Sequence, residues 1–193
     1  AEAPMPPGVA QVHSPVRGVD ICHFPIGPAG FAEEFEEFTA AHRIPCLMTC
    51  HMRDQGKAAA SNWVFVSDAL ARDYGSGRVV MNGINPADLI FSETKSDYFL
   101  FMGAMNKACE KGLDHALALS KREGFQLIVA GTGLNYETIR WVSELCSAAG
   151  AEYVGDVRGT RKAELIAGAR AVLFPSRLRE GCPLVILEAM LSG

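Results

Sequence analysis

From Tyr98 onward the chain alternates short apolar runs with stretches of helical period, and this alternation constrains its fold more than any other feature. The runs "YFLFMG" (98–103), "FQLIVAG" (125–131), "EYVGDV" (152–157) and "AVLF" (171–174) read as strands. Between them, "KGLDHALALSKRE" (111–123), "NYETIRWVSELCSAAG" (135–150) and "RKAELIAGA" (161–169) read as helices, and a last helix starts near Pro183. Strands alternating with helices of this length imply βα units and a parallel sheet. Such sheets bind ligands at the carboxyl ends of their strands. The loops after Gly103, Gly131, Val157 and Phe174 are therefore expected to line one crevice.

The same rhythm runs through the first half. "VDICHF" (19–24), "IPCLMTC" (44–50), "NWVFVS" (62–67) and "RVVMNG" (78–83) read as strands, and 31–43 and "DALARDYG" (68–75) as helices. The polar stretch 84–97 is turn-like, with 93–97 expected as a linker. The expectation is an α/β protein of two Rossmann-like parallel-sheet domains facing each other across a cleft, residues 1–92 and 98–193. Few elements in the first part, and a stop at Leu191-Ser192-Gly193, suggest that both domains are truncated. The Pro-rich opening lacks the charged-then-apolar order of a signal peptide.

A net charge of −4 and a pI near 5.7 imply no strongly basic face, so nucleic acid is not an expected partner. Six cysteines, at 22, 46, 50, 109, 146 and 182, are scattered among apolar positions as free thiols usually are, which favours a reducing, cytoplasmic setting. Cys46 and Cys50 have metal-like spacing but no second ligand pair, so no metal site is expected. No apolar run approaches the ~20 residues of a bilayer span, although peripheral membrane contact stays open.

The tail "FPSRLREGCPLVILEAMLSG" (174–193) carries the chemistry. Pro183 fits the first position of a helix, where its missing N–H is not needed. The free N–H groups near Leu184 then favour an anion such as phosphate, and Gly181, beside Cys182, lets a ligand approach the backbone. Glu188 lies among Ile186, Leu187, Ala189 and Met190, a costly place for a carboxylate without a partner. It either bonds a backbone amide, Arg177 or Arg179, or accepts hydrogen bonds from ligand hydroxyls such as a ribose.

This tail resembles the signature of retaining GT-B glycosyltransferases of the family 4 type, two glutamates separated by seven residues, Glu180 and Glu188 here. The resemblance extends over roughly residues 19–193: "TCHMRD", "VFVSDALARDYG", "VVMNGINPADLIF", "YFLFMGAMNKACEKGLDHAL", "LIVAGTG" and "EYVGDVRGTRKAELIAGARAVLFPS" follow the family's order. It implies retaining, metal-independent transfer of a hexosyl or related sugar from a nucleotide diphosphate sugar to a hydroxyl acceptor: a saccharide, a lipid-linked sugar or a small molecule. No cofactor is implied. Glu180 would contact the donor sugar hydroxyls and Glu188 the ribose. Lys111 would grip the diphosphate and His51 would sit beside the transferred sugar. Gly103, Gly131, Val157 and the backbone of Gly181, Cys182, Pro183 and Leu184 would meet the rest of the donor. One departure stands out: the family often has Gly-Arg where this chain has Gly103-Ala104. Either Lys107 substitutes, or donor binding is weakened.

Other prominent residues have plain readings. His23 reads as structural and Trp63 and Trp141 as core anchors. Asn82-Gly83 reads as a turn, and the glutamates at 33, 34, 36 and 37 as a solvated face. Gly131-Thr132-Gly133 lacks the third glycine of a dinucleotide fingerprint. Two alternatives to a transferase remain: a degenerate, non-catalytic module that binds a nucleotide sugar or glycan, and a GT-B-like nucleotide-sugar epimerase.

Overall fold

The computed structural model describes residues 20–26, 37, 40–52 and 62–193. Two compact units divide the chain, Ala1–Met81 and Asn82–Gly193.

The first unit contains a parallel three-stranded sheet in the order β1 (Cys22–Ile26), β2 (Cys46–Cys50), β3 (Trp63–Phe65). Helix α1 (Asp68–Asp73) follows, with Ser67 Oγ accepting from the Leu70 N–H at its start. Trp63 is buried and its ring packs beside Phe65 and Tyr74, as a core anchor should. The strand expected over 78–83 is reduced to one bridge, Phe65 to Val79. Val80 and Met81 are exposed and have no face to bury, so the pairing stops there. Of the helix expected over 31–43, residues 37 and 40–42 are helical, with Glu37 exposed; 31–36, 38 and 39, including Glu33, Glu34 and Glu36, lie outside the described residues.

The second unit is a parallel four-stranded sheet in the order β6 (Glu152–Tyr153), β5 (Leu127–Ala130), β4 (Phe99–Met102), β7 (Ala171–Val172). Alternate residues of β4 and β5 point to opposite faces. Phe101, Leu127 and Val129 pack with Leu113 and Leu117 of α2 (Leu113–Glu123) and with Val142 and Cys146 of α3 (Tyr136–Ala149). Leu100, Ile128 and Ala130 pack with Leu165 and Ile166 of α4 (Gly159–Gly168). Burial on both faces explains why β5 reads as an unbroken apolar run. Asn135 caps α3 through the Thr138 N–H. Trp141 is an exception to its sequence reading: it lies on the outer side of α3 and is 41% exposed.

Residues 93–97, expected as a linker, are fastened to the second unit. Lys95 Nζ donates to the carbonyls of Ala167 at 2.9 Å and Ser192 at 3.2 Å, the Ser96 N–H donates to the Gly168 carbonyl, and Arg170 pairs with Asp97. The division falls at Met81–Asn82 instead. All six cysteines are free thiols; Cys50 and Cys146 are buried and Cys109 is exposed. Burial pushes the Cys146 thiol up to about 11. Among the described residues no helix is long and apolar enough to cross a membrane.

Candidate functional site

The strand order places a topological switch between β4 and β7. From β4 the chain proceeds outward through β5 to β6 and then returns to the other side of β4. Loops that leave neighbouring strands in opposite directions open a crevice at this point. Those loops are Gly103–Gly112 after β4 and Leu173–Pro183 after β7. They meet in an ion pair: Lys111 Nζ donates to Glu180 Oε1 at 2.7 Å. Ser176 Oγ donates to the same oxygen at 3.2 Å.

Local chemistry builds this corner. Gly112 adopts φ +83°, and a Cβ there would stand 2.2 Å from the Pro175 carbonyl oxygen. A glycine is required for the two loops to touch, and it sits directly beside Lys111. Arg177 fastens the second loop from outside. Its N–H donates to the Glu110 carbonyl, its Nη1 to the Cys109 carbonyl at 2.6 Å, and its Nη2 to Asp114. Burial raises the Asp114 carboxyl, but the hydrogen bond and charge of Arg177 outweigh it and hold the group below the usual carboxylate range. The Lys111 side chain runs past Gly103, where a Cβ would lie 3.5 Å from Lys111 Cδ. Ala104 is exposed, and so is Lys107 in the 3-10 turn Met105–Lys107.

Gly131 has a structural duty. Its φ is +150°, and a Cβ would meet the Gly103 carbonyl oxygen at 1.8 Å. Its N–H donates to the Gly155 carbonyl, and its own carbonyl accepts from Tyr153 Oη at 2.7 Å. The loops after β4, β5 and β6 are thus stitched together at the carboxyl edge, and the close approach at Gly131 is made by protein backbone.

Helix α5 (Leu184–Leu191) follows the second loop. Pro183 occupies the cap position and not the first helical one; either place tolerates its missing N–H, and no side chain caps this end. Asn82 Nδ2 donates to the Cys182 carbonyl at 2.8 Å, which fixes the backbone between the two glutamates. The helix buries its carboxylate: Glu188 is 9% exposed, whereas Leu184, Met190 and Leu191 are exposed. The partner of Glu188 is neither a backbone amide nor Arg177 or Arg179. It is Lys162 of α4, whose Nζ donates to Glu188 Oε1 at 2.5 Å.

This second pair lines a cavity of about 610 Å³, walled on the other side by Gly83–Asn85 and Ala87–Ile90 and completed by Gly159, Thr160 and Ala163. Glu180, Gly103, Gly131 and Val157 are not among its lining residues. Val157 is half-buried against the core just before α4. His51 lies in the first unit, half-buried directly after β2, and nearby His23 Nε2 and Thr49 Oγ1 are hydrogen-bonded at 2.7 Å.

Lys162, Ser176, Arg177 and Asn82 were not singled out as site residues by sequence reasoning. For Lys162 a signal exists: Arg158, Arg161 and Lys162 crowd the start of a helix with no acidic residue in its first turn, against the helix dipole.

Residues 96–193 match the family described as "Glycosyl transferases group 1". No curated protein matches the sequence. Among solved structures, AviGT4, a glycosyltransferase involved in avilamycin A biosynthesis, is similar with a TM-score of 0.64 at 26% identity, over 91% of this chain and 53% of that one. TarM gives 0.63 at 13% identity, over 89% and 39%. HepE of Anabaena, in complex with UDP, gives 0.61 at 12% identity, over 90% and 79%. The chain therefore spans 53% of the first of these structures and 39% of the second.

Proposed function

This chain belongs to the group 1 glycosyl transferases and has the two-sheet fold of their GT-B type, and we propose that it moves a sugar from a nucleotide diphosphate sugar to a hydroxyl acceptor with retention of configuration and without a metal ion. The observation that carries this reading is the Lys111–Glu180 pair at the switch point, a cation and a carboxylate delivered by the two loops that flank the crevice.

In this reading the donor replaces the ion pair with two better-matched partners. The diphosphate takes the ammonium of Lys111, a compact point charge suited to phosphate. The sugar hydroxyls take the freed oxygens of Glu180, which accept only. As the bond to the sugar breaks, negative charge grows on the leaving diphosphate. Lys111 and the uncapped start of α5 stabilise it there, which is electrostatic catalysis at a developing anion. The leaving phosphate then receives the acceptor's proton. The ribose belongs to Glu188 and the nucleoside to the cavity beside it, whose volume of about 610 Å³ suits a ligand of that class. The UDP bound to HepE supports testing UDP first.

A second reading rests on Ala104, exposed where the family often carries arginine. A weakened diphosphate grip favours a module that binds a nucleotide sugar without turning it over. One experiment separates the two. The intact chain is titrated calorimetrically with UDP, GDP and ADP and their sugar conjugates, and product formation with saccharide acceptors is followed by NMR of the new anomeric centre. Selective nucleotide binding with retained anomeric configuration is expected. Binding without turnover favours the module, and inversion of configuration overturns the retaining mechanism.

A further inference from the structure

Lys162 stands where a cation is disfavoured. It lies in the first turns of α4, at the positive end of the helix dipole, beside Arg158 and Arg161. It is nevertheless held inward. Its Nζ is 2.5 Å from Glu188 Oε1, and its side chain is 32% exposed while that of Glu188 is 12% exposed. The flanking arginines have outward partners instead, Arg158 with Asp156 and Arg161 with Glu164.

The pair engages one oxygen of Glu188. No other hydrogen bond to this carboxylate occurs among the described residues, and both Lys162 and Glu188 line the cavity. A carboxylate has about four acceptor sites. One contact from a lysine therefore compensates the charge of a glutamate in an apolar helix and leaves acceptor capacity for whatever fills the cavity.

We propose that Lys162 is a positioning residue: it fixes the Glu188 carboxylate so that its remaining acceptor sites face the cavity and receive the vicinal hydroxyls of a ribose. This rests on the donor-site reading above and deepens it, because it assigns ribose discrimination to a residue on a different helix from the one that carries the carboxylate.

The test compares nucleoside diphosphates with their 2′,3′-dideoxy counterparts by calorimetry, using UDP, GDP and ADP with the intact chain. A hydroxyl bonded to a charged acceptor is worth roughly tenfold or more in affinity. The wild-type chain is expected to prefer the ribose form of its nucleotide by about that factor. Lys162→Met is expected to reduce the preference to about twofold or less while the dideoxy form binds nearly as before, and Lys162→Arg is expected to restore most of it. Circular dichroism confirms that each variant is folded. A folded Lys162→Met chain that keeps the full preference overturns the inference, and so does equal weakening of ribose and dideoxy forms, which would mark Lys162 as a general ligand contact. Should the wild type bind none of the three nucleotides, the donor-site reading itself falls and the inference falls with it. A wild type that prefers ribose beside a Lys162→Met chain that prefers it equally sinks only the inference.

Discussion

The second unit holds two lysine–carboxylate pairs that are alike in chemistry and opposite in construction. Lys111 and Glu180 come from loops, and each side chain is about a fifth exposed. Glu180 has a further donor in Ser176, and its loop is anchored from outside by Arg177. Lys162 and Glu188 come from helices, and Glu188 is the buried residue of an otherwise apolar helix. A loop-held carboxylate can exchange its partner for a ligand at small cost, because water and a hydroxyl stand ready. A helix-held one is set in place by packing and serves as a fixed acceptor. The first construction suits groups that rearrange during a reaction, the second a group that binds the unchanging part of a substrate.

The largest effect should come from removing each carboxylate. Glu180→Ala is expected to lower kcat by about 10²-fold or more, the scale of losing a positioning contact at the reacting centre. Its nucleotide Kd should move by less than about threefold. Glu188→Ala should instead weaken nucleotide binding by roughly tenfold or more. Steady-state kinetics beside calorimetry measures both. Equal changes in kcat and Kd for the two variants would erase the distinction between the corners.

The next effect is on stability and tests how the loop corner is built. Gly112→Ala places a methyl group 2.2 Å from the Pro175 carbonyl at a φ of +83°. The two penalties together should cost about 2–4 kcal/mol in urea unfolding. The folded fraction should lose turnover and, through Lys111, part of its diphosphate affinity, yet keep its affinity for the nucleoside alone, since the cavity beside Glu188 is walled by other segments. A Gly112→Ala chain as stable as the wild type would mean that the loops do not need this contact.

These corners were unevenly legible in the sequence. The parallel sheet followed from the βα rhythm, and burial on both faces explains why the runs were so clear. Glu188 stood out as a carboxylate in an apolar helix, whereas Glu180 and Lys111 were singled out by the resemblance of their surroundings to the family's motifs. Lys162 broke local expectation too, as a cation at a helix start, but its partner lies 26 residues away and only the fold joins them. The purpose of Gly131 was hidden for the same reason, because the obstructing atom belongs to Gly103. Val80 and Met81 read as strand on residue type alone, yet both are exposed, and burial more than residue type decides strand formation. Trp141 misled because aromatic residues at helical spacing usually face inward.

A smaller effect separates function from stability at the helix corner. In the double variant Lys162→Met/Glu188→Met the ion pair is replaced by apolar side chains of similar length. Such replacements are often neutral or stabilising, since neither charge has to be desolvated. The melting temperature should hold within a few degrees, equivalent to about 1 kcal/mol, while nucleotide binding weakens by roughly tenfold or more, as in Glu188→Ala. A marked loss of stability would give Glu188 a structural role and leave the chemistry to the loop corner at Glu180.

The smallest effect concerns the clip that carries the loop corner. Asp114 is partly desolvated, yet the hydrogen bond and charge of Arg177 leave its carboxyl below its ordinary value. A depressed carboxylate contributes stability that is fully present above the ordinary value of about 4 and is lost as pH falls through the lowered folded value. Both side chains are nearly half exposed, so solvent screening limits the contribution to a few tenths of a kcal/mol. Urea unfolding between about pH 5 and pH 2 should therefore show a shallow loss that Asp114→Asn removes. At neutral pH the same variant should lower kcat slightly, through the loosened loop, and leave the affinity for the nucleoside alone unchanged. A change in nucleoside affinity in Asp114→Asn would show that the loop corner and the helix corner are coupled and do not act as separate constructions.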